Sequence, residues 1–512
     1  MLGTSSLHSA RVYFPRIKAK ASYASSLWRS TSITALSSFG AGRQPCYFGS
    51  LSPEMSPSPR SEYVWIDGVE RLEMYEPGGF HPVMIDDVLH HRYRVVDKLG
   101  YGGYATIWLA HDSRLHRYVA IKVGVSSLSC PSSEPKILRR LSDSNPTVSP
   151  VDPPAIAAEA LPTILDEFEL QGPNGIHHCY ATLPAQGSVQ EAKFSRLFPI
   201  QVARALSAKL LLAVDFVHSQ GFVHGDIHLR NILIKLPSTL DQLSVDQFRD
   251  KYGEPEQVPV RRYDGLPLPP SIPPQAVLPV ILGKEAQDFT LDDARALVLS
   301  DFGEAFAPGT EQRLGKDCHV PLIKRPPEAM FEPDTPLSFP SDIWSLGHAI
   351  WDILGVKSVF YELEPQNEVV AEQIDVLGLQ HFPSRWRTLW ERPQAEGEGL
   401  YGNIPRKPAH DRQTLPPLEE LFEDKVQKWR RKRHAGVFGE EETRAILELM
   451  RGTLALSPEK RWTTQQILAS EWMVKWALPA SEAQRTLGPA VCEEAERLFD
   501  VPPSKRAFLD AA

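Results

Sequence analysis

His224-Gly-Asp-Ile-His-Leu-Arg-Asn231, followed by Ile232-Leu-Ile234, sets an acidic residue five positions before an asparagine, just ahead of a β-branched run. The run reads as a short strand entered from a tight loop. A carboxylate at Asp226 can accept a proton from a hydroxyl, and the Asn231 amide can help hold a cation; phosphoryl transfer needs both within a few ångströms. Standing alone, the stretch reads as a polar turn before a strand. What decides is whether other phosphate-handling residues stand at workable distances along the chain.

Upstream, Tyr93-Arg-Val-Val-Asp-Lys-Leu99 alternates apolar and polar residues and runs into Gly100-Tyr-Gly-Gly-Tyr-Ala-Thr-Ile-Trp-Leu-Ala110. Two strands flanking a turn with three glycines let backbone N–H groups approach polyphosphate oxygens closely. Tyr118-Val-Ala-Ile-Lys-Val123 reads as a third strand, and its Lys122 can reach phosphate oxygens. A lysine inside an apolar strand is costly without a compensating partner. Glu134 is the candidate, at the start of a helix over Ser133–Leu141 that Ser132 or Ser133 can cap and that tolerates Pro135 only in its first turn. Thr163–Leu170 and Ile176–Thr182, joined through Gly172-Pro-Asn-Gly175, read as a hairpin completing a small antiparallel sheet.

Bulk properties bound the rest. At 512 residues the chain fits two or three units or a large bilobal enzyme, and 42% hydrophobic residues suffice for sizeable cores. A net charge of −9 argues against direct nucleic-acid binding. Five scattered cysteines build neither a zinc site nor a disulfide framework, which points to a reducing compartment. The longest apolar helix candidate, near Leu206–Val217, carries Lys209 and Asp215 and predicts no membrane span. The first fifty residues are basic, Ser-rich and free of Asp and Glu, the composition of a mitochondrial transit peptide. A disordered tail, or a true start at Met55 or Met74, accounts for them as well.

Downstream, Pro199–Ser219 predicts an amphipathic helix leading into the opening stretch. After a long interruption come Ala296-Leu-Val-Leu-Ser-Asp-Phe-Gly303, Arg325-Pro-Pro-Glu328, Ser341-Asp-Ile-Trp-Ser-Leu-Gly347 and Ser457-Pro-Glu-Lys-Arg461. With this set in this order, the chain resembles the eukaryotic protein kinases. More narrowly it is similar to fungal SR-protein-kinase-like serine/threonine kinases, through Tyr75-Glu-Pro-Gly-Gly-Phe-His-Pro-Val83, Thr106-Ile-Trp-Leu109 and a spacer after the catalytic loop.

The resemblance implies an α+β, bilobal protein-kinase-like fold: a small, mainly antiparallel β lobe (93–185) and a larger, mainly α-helical lobe (186–475) with a spacer at 236–296. These are preceded by a tail (1–62) and a family-specific extension (63–92) and followed by a C-terminal tail (476–512). It implies ATP and Mg2+ as cofactors. Asp226, Lys122 and His228 would be catalytic, and Asn231 and Asp301 would hold the metal. Gly100, Tyr101, Gly102, Gly103 and Ala105 would cover the phosphates, with Leu99 and Ile107 against adenine and ribose. Lys122 would pair with Glu134, and Thr182 to Ala185 would connect the lobes and read the adenine edge. Glu328 would pair with Arg461, and Asp342 would brace the catalytic loop. The partners implied are protein substrates, with arginine/serine-rich ones as the narrower expectation. The acidic clusters Glu419–Asp424 and Glu440–Glu442 are candidates for binding arginine-rich segments, or equally a solvated acidic surface. A monomer in cytoplasm or nucleus is expected.

Four positions depart from the family pattern: Ala105 for the third loop glycine, Gly225 for an arginine, His228 for a lysine, and Pro326 where alanine is usual. Without the arginine, activity is expected not to depend on phosphorylation of the 301–328 segment. A neutral histidine supplies less charge than lysine, so slower transfer is expected at His228. The spacer combines a helix-like stretch, Ser244–Tyr252, with a proline-rich run, Leu266–Pro274. It reads either as a solvated insertion or as a docking or localisation segment. Two other classes compete: a small-molecule kinase, in which His-Gly-Asp-x-His-x-x-Asn is common, and an inactive kinase-fold scaffold. The Asp301-Phe-Gly turn, Glu328, Asp342 and Arg461 weigh against the first, and the intact Lys122, Asp226, Asn231 and Asp301 against the second.

Overall fold

The computed structural model describes residues 62–126, 133–143, 157–193, 196–361, 364–392, 404–408 and 412–481. The transit-peptide reading, Ser132 as a cap and the C-terminal tail beyond Ser481 lie outside these residues. The first six residues of that tail, 476–481, are instead helical, and Ala477 and Leu478 are buried in the core of the larger part.

Alternation of β-branched and aromatic residues builds a six-stranded antiparallel sheet. Its strands are β1 (Val88–Leu89), β2 (Tyr93–Tyr101), β3 (Ala105–Asp112), β4 (Arg117–Gly124), β5 (Asp166–Gly172) and β6 (Gly175–Thr182), in spatial order β1-β2-β3-β4-β6-β5. One face packs Val95, Trp108, Ala110, Val119, Ile121 and Ala181 into a core. Helix α1 (Glu134–Asp143) turns Ile137, Leu138 and Leu141 inward. After Thr182 the chain passes through Leu183 and Pro184 into β7 (Ala185–Ser188), which belongs to a second sheet. That sheet, in the order β11-β8-β7, contains β8 (Ile232–Lys235) and β11 (Leu297–Leu299).

Helices make up the larger part. Ile200–Ser219 lies at its centre with fourteen residues buried, and Phe339–Leu354 packs nearby with Trp344 and Trp351 fully enclosed. Burying side chains of this size stabilises by roughly 1.5–3 kcal/mol each, enough to hold β8, β11 and the loops at their ends against a rigid base. Among the described residues no helix is long and apolar enough to cross a membrane.

The spacer is packed rather than solvated, contrary to one of its two readings. Ser244 caps the helix Val245–Tyr252 in a capping box with Gln247, and Phe248 of that helix is buried with Val96, Leu109 and Tyr118 on the outer face of the small sheet. The Tyr118 amide donates to Asp241 at 2.8 Å. Further on, β9 (Gln257–Pro259) and β10 (Gln275–Val277) pair with each other, and Val260, Ile272 and Ala276 enclose Tyr63, Val69, Leu72, Tyr75 and Phe80 of the N-terminal extension. The prolines of 266–274 form no regular element, as their lack of N–H requires. They nonetheless belong to a packed layer, because Ile272 supplies an apolar anchor.

Candidate active site

The upper wall of the cleft is the β2–β3 hairpin. An added Cβ at Gly100, Gly102 or Gly103 would meet nothing within 4 Å. The protein's own packing therefore does not require these glycines, and they leave open room around the turn. Ala105 begins β3 and accepts the Gly102 amide at 2.8 Å, closing the turn. Ile107 pairs across to Lys122. Leu99 packs with the cluster that the spacer forms with Val96 and Leu109, and Tyr101 ends β2. Thr182 pairs with Ala120 in the sheet, and Ala185 pairs with Lys235 in the other.

Behind the hairpin, Lys122 Nζ lies 2.7 Å from Glu134 Oε2 and 3.0 Å from Asp301 Oδ1. Pro135 fixes the first turn of α1, so Glu134 enters the protein interior at 3% exposure. Its second oxygen accepts the Phe302 amide at 3.0 Å. Burial alone would lower the Lys122 pKa, but the neighbouring Tyr180 oxygen, Glu134 and Asp301 outweigh it and hold the ammonium well above its ordinary value. Burial pushes the Asp301 carboxyl the other way, yet Lys122, then His224 and His228, keep it below the usual range. Asp301 adopts a left-handed backbone, φ 63°, a conformation costly for a residue with a Cβ and concentrated at functional sites.

The lower wall is the stretch His224–Asn231. Leu299 pairs with Ile232, and the Ser300 amide donates to the Asn231 carbonyl at 2.7 Å, so the short sheet brings Asp301 and Asn231 to neighbouring strand ends. Asn231 Nδ2 donates to the Asp226 carbonyl at 2.9 Å and to its Oδ2 at 3.0 Å. His228 Nε2 lies 3.3 Å from the same Oδ2. Asp226 Oδ1 is buried without a hydrogen-bond partner among the described residues, an acceptor with free lone pairs. His224 Nε2 lies 3.1 Å from the Ser300 carbonyl, and its Nδ1 accepts the Asp226 amide at 3.3 Å.

Two buried carboxylates hold this wall from below. Asp342 receives the amides of His224 at 2.7 Å and Gly225 at 2.9 Å, and His218 Nε2 at 3.0 Å. Burial would raise its pKa, but His218 and these donors lower it. Glu328 meets Arg461 through two contacts of 2.6 Å. Gly225 has φ +80°, and a Cβ there would stand 2.7 Å from the Glu304 carbonyl oxygen. No side chain fits, so the missing arginine is a requirement of this loop. Glu304 itself pairs with Arg313 and with His319 at 2.9 Å, within the 301–328 segment.

The acidic clusters meet in one groove of about 630 Å³ through Glu419, Glu423 and Glu440, but Arg431, Arg444 and Arg451 line it too, so it is not anionic. Glu419 pairs with Arg451, Glu423 with Arg431, Asp424 with Lys428 and Glu441 with Lys475, while Glu442 is buried against Arg204 and Trp472. Sequence reasoning also missed Glu70, which is buried against Lys98. Its only signal was Lys98 itself, a second lysine in a strand that lacked an assigned partner.

Over 428 residues the chain is 26% identical to a serine/threonine protein kinase of Aspergillus fumigatus, covering 79% of this chain and 90% of that protein. The chain is a relative of the serine/threonine protein kinases. Shorter matches to other kinases run at 33% identity: protein kinase dsk1 of Schizosaccharomyces pombe, over 174 residues (32% of this chain, 30% of that one), and human SRSF protein kinase 3, over 169 residues (31% and 28%). A crystal structure of a kinase domain aligns over 76% of this chain and 98% of that chain, with TM-score 0.49 and 16% identity. No protein-family model matches.

Proposed function

We propose that this kinase relative transfers the γ-phosphate of ATP to serine and threonine hydroxyls of proteins, with Mg2+ as cofactor. The observation that carries the reading is Lys122 held at once by Glu134 and Asp301, with Asp226 and Asn231 on the facing loop. The residues fit both groups: the glycine hairpin leaves open space for a polyphosphate, and Asp301 and Asn231 supply oxygen donors of the kind Mg2+ prefers. Bound there, the metal would neutralise charge developing on the phosphates.

The chain's own residues divide the remaining work. Lys122, kept charged by its neighbours, would bind phosphate oxygens. Asp226 Oδ1 would accept and orient the substrate hydroxyl, while Asn231 holds the other oxygen still. His228, within reach of Asp226, stands where a positive group would face the transferring phosphate, and its ring can supply a hydrogen bond there.

An arginine/serine-rich protein is the substrate class to test first, on the strength of the resemblance and of relatives named SRSF protein kinase 3. The acidic clusters lend that choice no support, since five of their carboxylates are already matched. The test is incubation with ATP, Mg2+ and either an arginine/serine-rich peptide or myelin basic protein. Phosphate incorporation that falls by about 10²–10⁴ in Asp226→Asn supports the reading. Nucleotide binding without transfer, or transfer only to small hydroxyl or amino compounds, would overturn it.

A further inference from the structure

The most enclosed charge pair in the small lobe lies outside the machinery just described. Lys98 has no measurable exposure and Glu70 has 6%. The two meet in an ion pair, and the Tyr75 hydroxyl donates to the same glutamate. Lys98 is the second residue before Gly100. Its ammonium sits 5.3 Å from the ring centroid of Tyr101, on the glycine turn, and 5.3 Å from that of Trp108, its cross-strand partner on β3. One buried charge thus touches both arms of the glycine hairpin. Its carboxylate partner comes from the N-terminal extension, which belongs to neither arm.

A second segment holds the same residue through the backbone. The Lys98 carbonyl accepts the Val280 amide at 2.8 Å, and Val280 belongs to the spacer. The β2–β3 pairing is irregular between Lys98 and Gly100, so the regular ladder is interrupted where these two outside contacts attach. Beyond that point Gly100, Gly102 and Gly103 have no neighbour that would restrain a side chain. Within the turn the Gly102 amide donates to the Ala105 carbonyl at 2.8 Å and the Val125 amide to the Tyr104 carbonyl at 2.9 Å, so the start of the turn, at Gly100 and Tyr101, takes its position from the base at Lys98.

We propose that Glu70, acting through Lys98, is a positioning residue for nucleotide binding. With Val280 it anchors the base of the glycine turn, so that the extension and the spacer jointly set where the turn's amides stand. An isolated buried ammonium is expensive, so the anchor holds only with Glu70 ionised and in place. Misplacing binding groups by about an ångström is enough to cost large factors in rate or affinity.

The proposal rests on the kinase reading only for the ATP part of its test; the hydrogen-exchange part is independent of it. In full-length Glu70→Gln, amides of residues 100–105 should exchange about tenfold faster, with those of β5 and β6 unchanged. The KM for ATP should rise about tenfold, with kcat changed less than about twofold and the peptide KM unmoved. Val280→Pro, which removes the donor N–H, should move the same amides and the same KM. Should Glu70→Gln fail to fold, the neutral pair Glu70→Gln/Lys98→Met removes the unpaired charge and should still show the faster exchange. Unchanged exchange at 100–105 in the variant that folds overturns the proposal, whether or not the chain turns over ATP. So does uniform loss of protection through the whole sheet, which would mark the pair as a general stabiliser.

Discussion

Two cation–carboxylate pairs bracket the cleft, and they are built to opposite ends. In the upper one, Lys122 is 22% exposed and shared between Glu134 and Asp301. In the lower one, the Arg461 side chain is wholly enclosed; besides both oxygens of Glu328, it donates to the carbonyls of Pro340, Ala455 and Leu456. The upper pair leaves its cation within reach of a ligand and can exchange partners. The lower pair is saturated and has nothing left to offer a ligand. Similar chemistry therefore serves binding in one place and holding in the other, and the degree to which the cation's donors are already used tells the two apart.

The comparison breaks most sharply on mutation. Lys122→Met should lower kcat/KM by about 10²–10³ while costing less stability than a break in the lower pair, as read by thermal unfolding beside phosphate transfer. Arg461→Met should cost about 3–5 kcal/mol, because Glu328 is left as an uncompensated buried charge; urea unfolding measures it, and a loss under about 1 kcal/mol would put the lower pair in the same class as surface pairs. A smaller effect lies between them: His228→Lys restores a full charge beside Asp226 and should raise kcat by roughly fivefold, about 1 kcal/mol. An unchanged or lower kcat would show that this loop is tuned around the imidazole.

The weakest effect belongs to the pair between Glu304 and His319, which is partly exposed. Glu304 raises the His319 pKa more than burial lowers it. Burial opposes the Glu304 charge, but His319 and Arg313 together lower its pKa. The histidine's contribution to holding the 301–328 segment is thus full below about pH 6.5 and is lost as pH rises through the raised folded value. The glutamate's contribution is present above its unfolded pKa and is lost as pH falls through the lowered one. Following the His319 ring by NMR should give a titration midpoint above 6.5 in the native chain, falling toward it in Glu304→Gln. Equal midpoints would remove the pair from any account of the segment.

Much of the active site was legible because its residues are required by chemistry at fixed spacing. Asp226 to Asn231 spans one turn and one strand entry, and Glu134 is placed by Pro135, whose geometry admits few alternatives. Strands β2 to β6 were legible from alternation in the first, the glycine turn before the second, the apolar run around Lys122 and the Gly172–Gly175 turn joining the last two. The spacer's packing was not. Its prolines predict the absence of regular structure but say nothing about which surface the intervening Ile272, Val260 and Ala276 will cover, since that depends on an apolar face contributed by residues roughly two hundred positions away. The Glu70–Lys98 pair escaped for the same reason, as neither residue's spacing marks the other. Gly225 was legible as a departure, but only the 2.7 Å approach to Glu304 makes glycine obligatory there.

The three glycines of the β2–β3 turn differ in this respect. Because no neighbouring atom opposes a Cβ at Gly100, Gly102 or Gly103, replacing any of them with alanine leaves the packed structure intact. A screen that selects variants by expression or thermal stability would pass such changes unnoticed. Only selection on phosphate transfer would see them, so under relaxed selection for activity these glycines could drift without disturbing the fold around them.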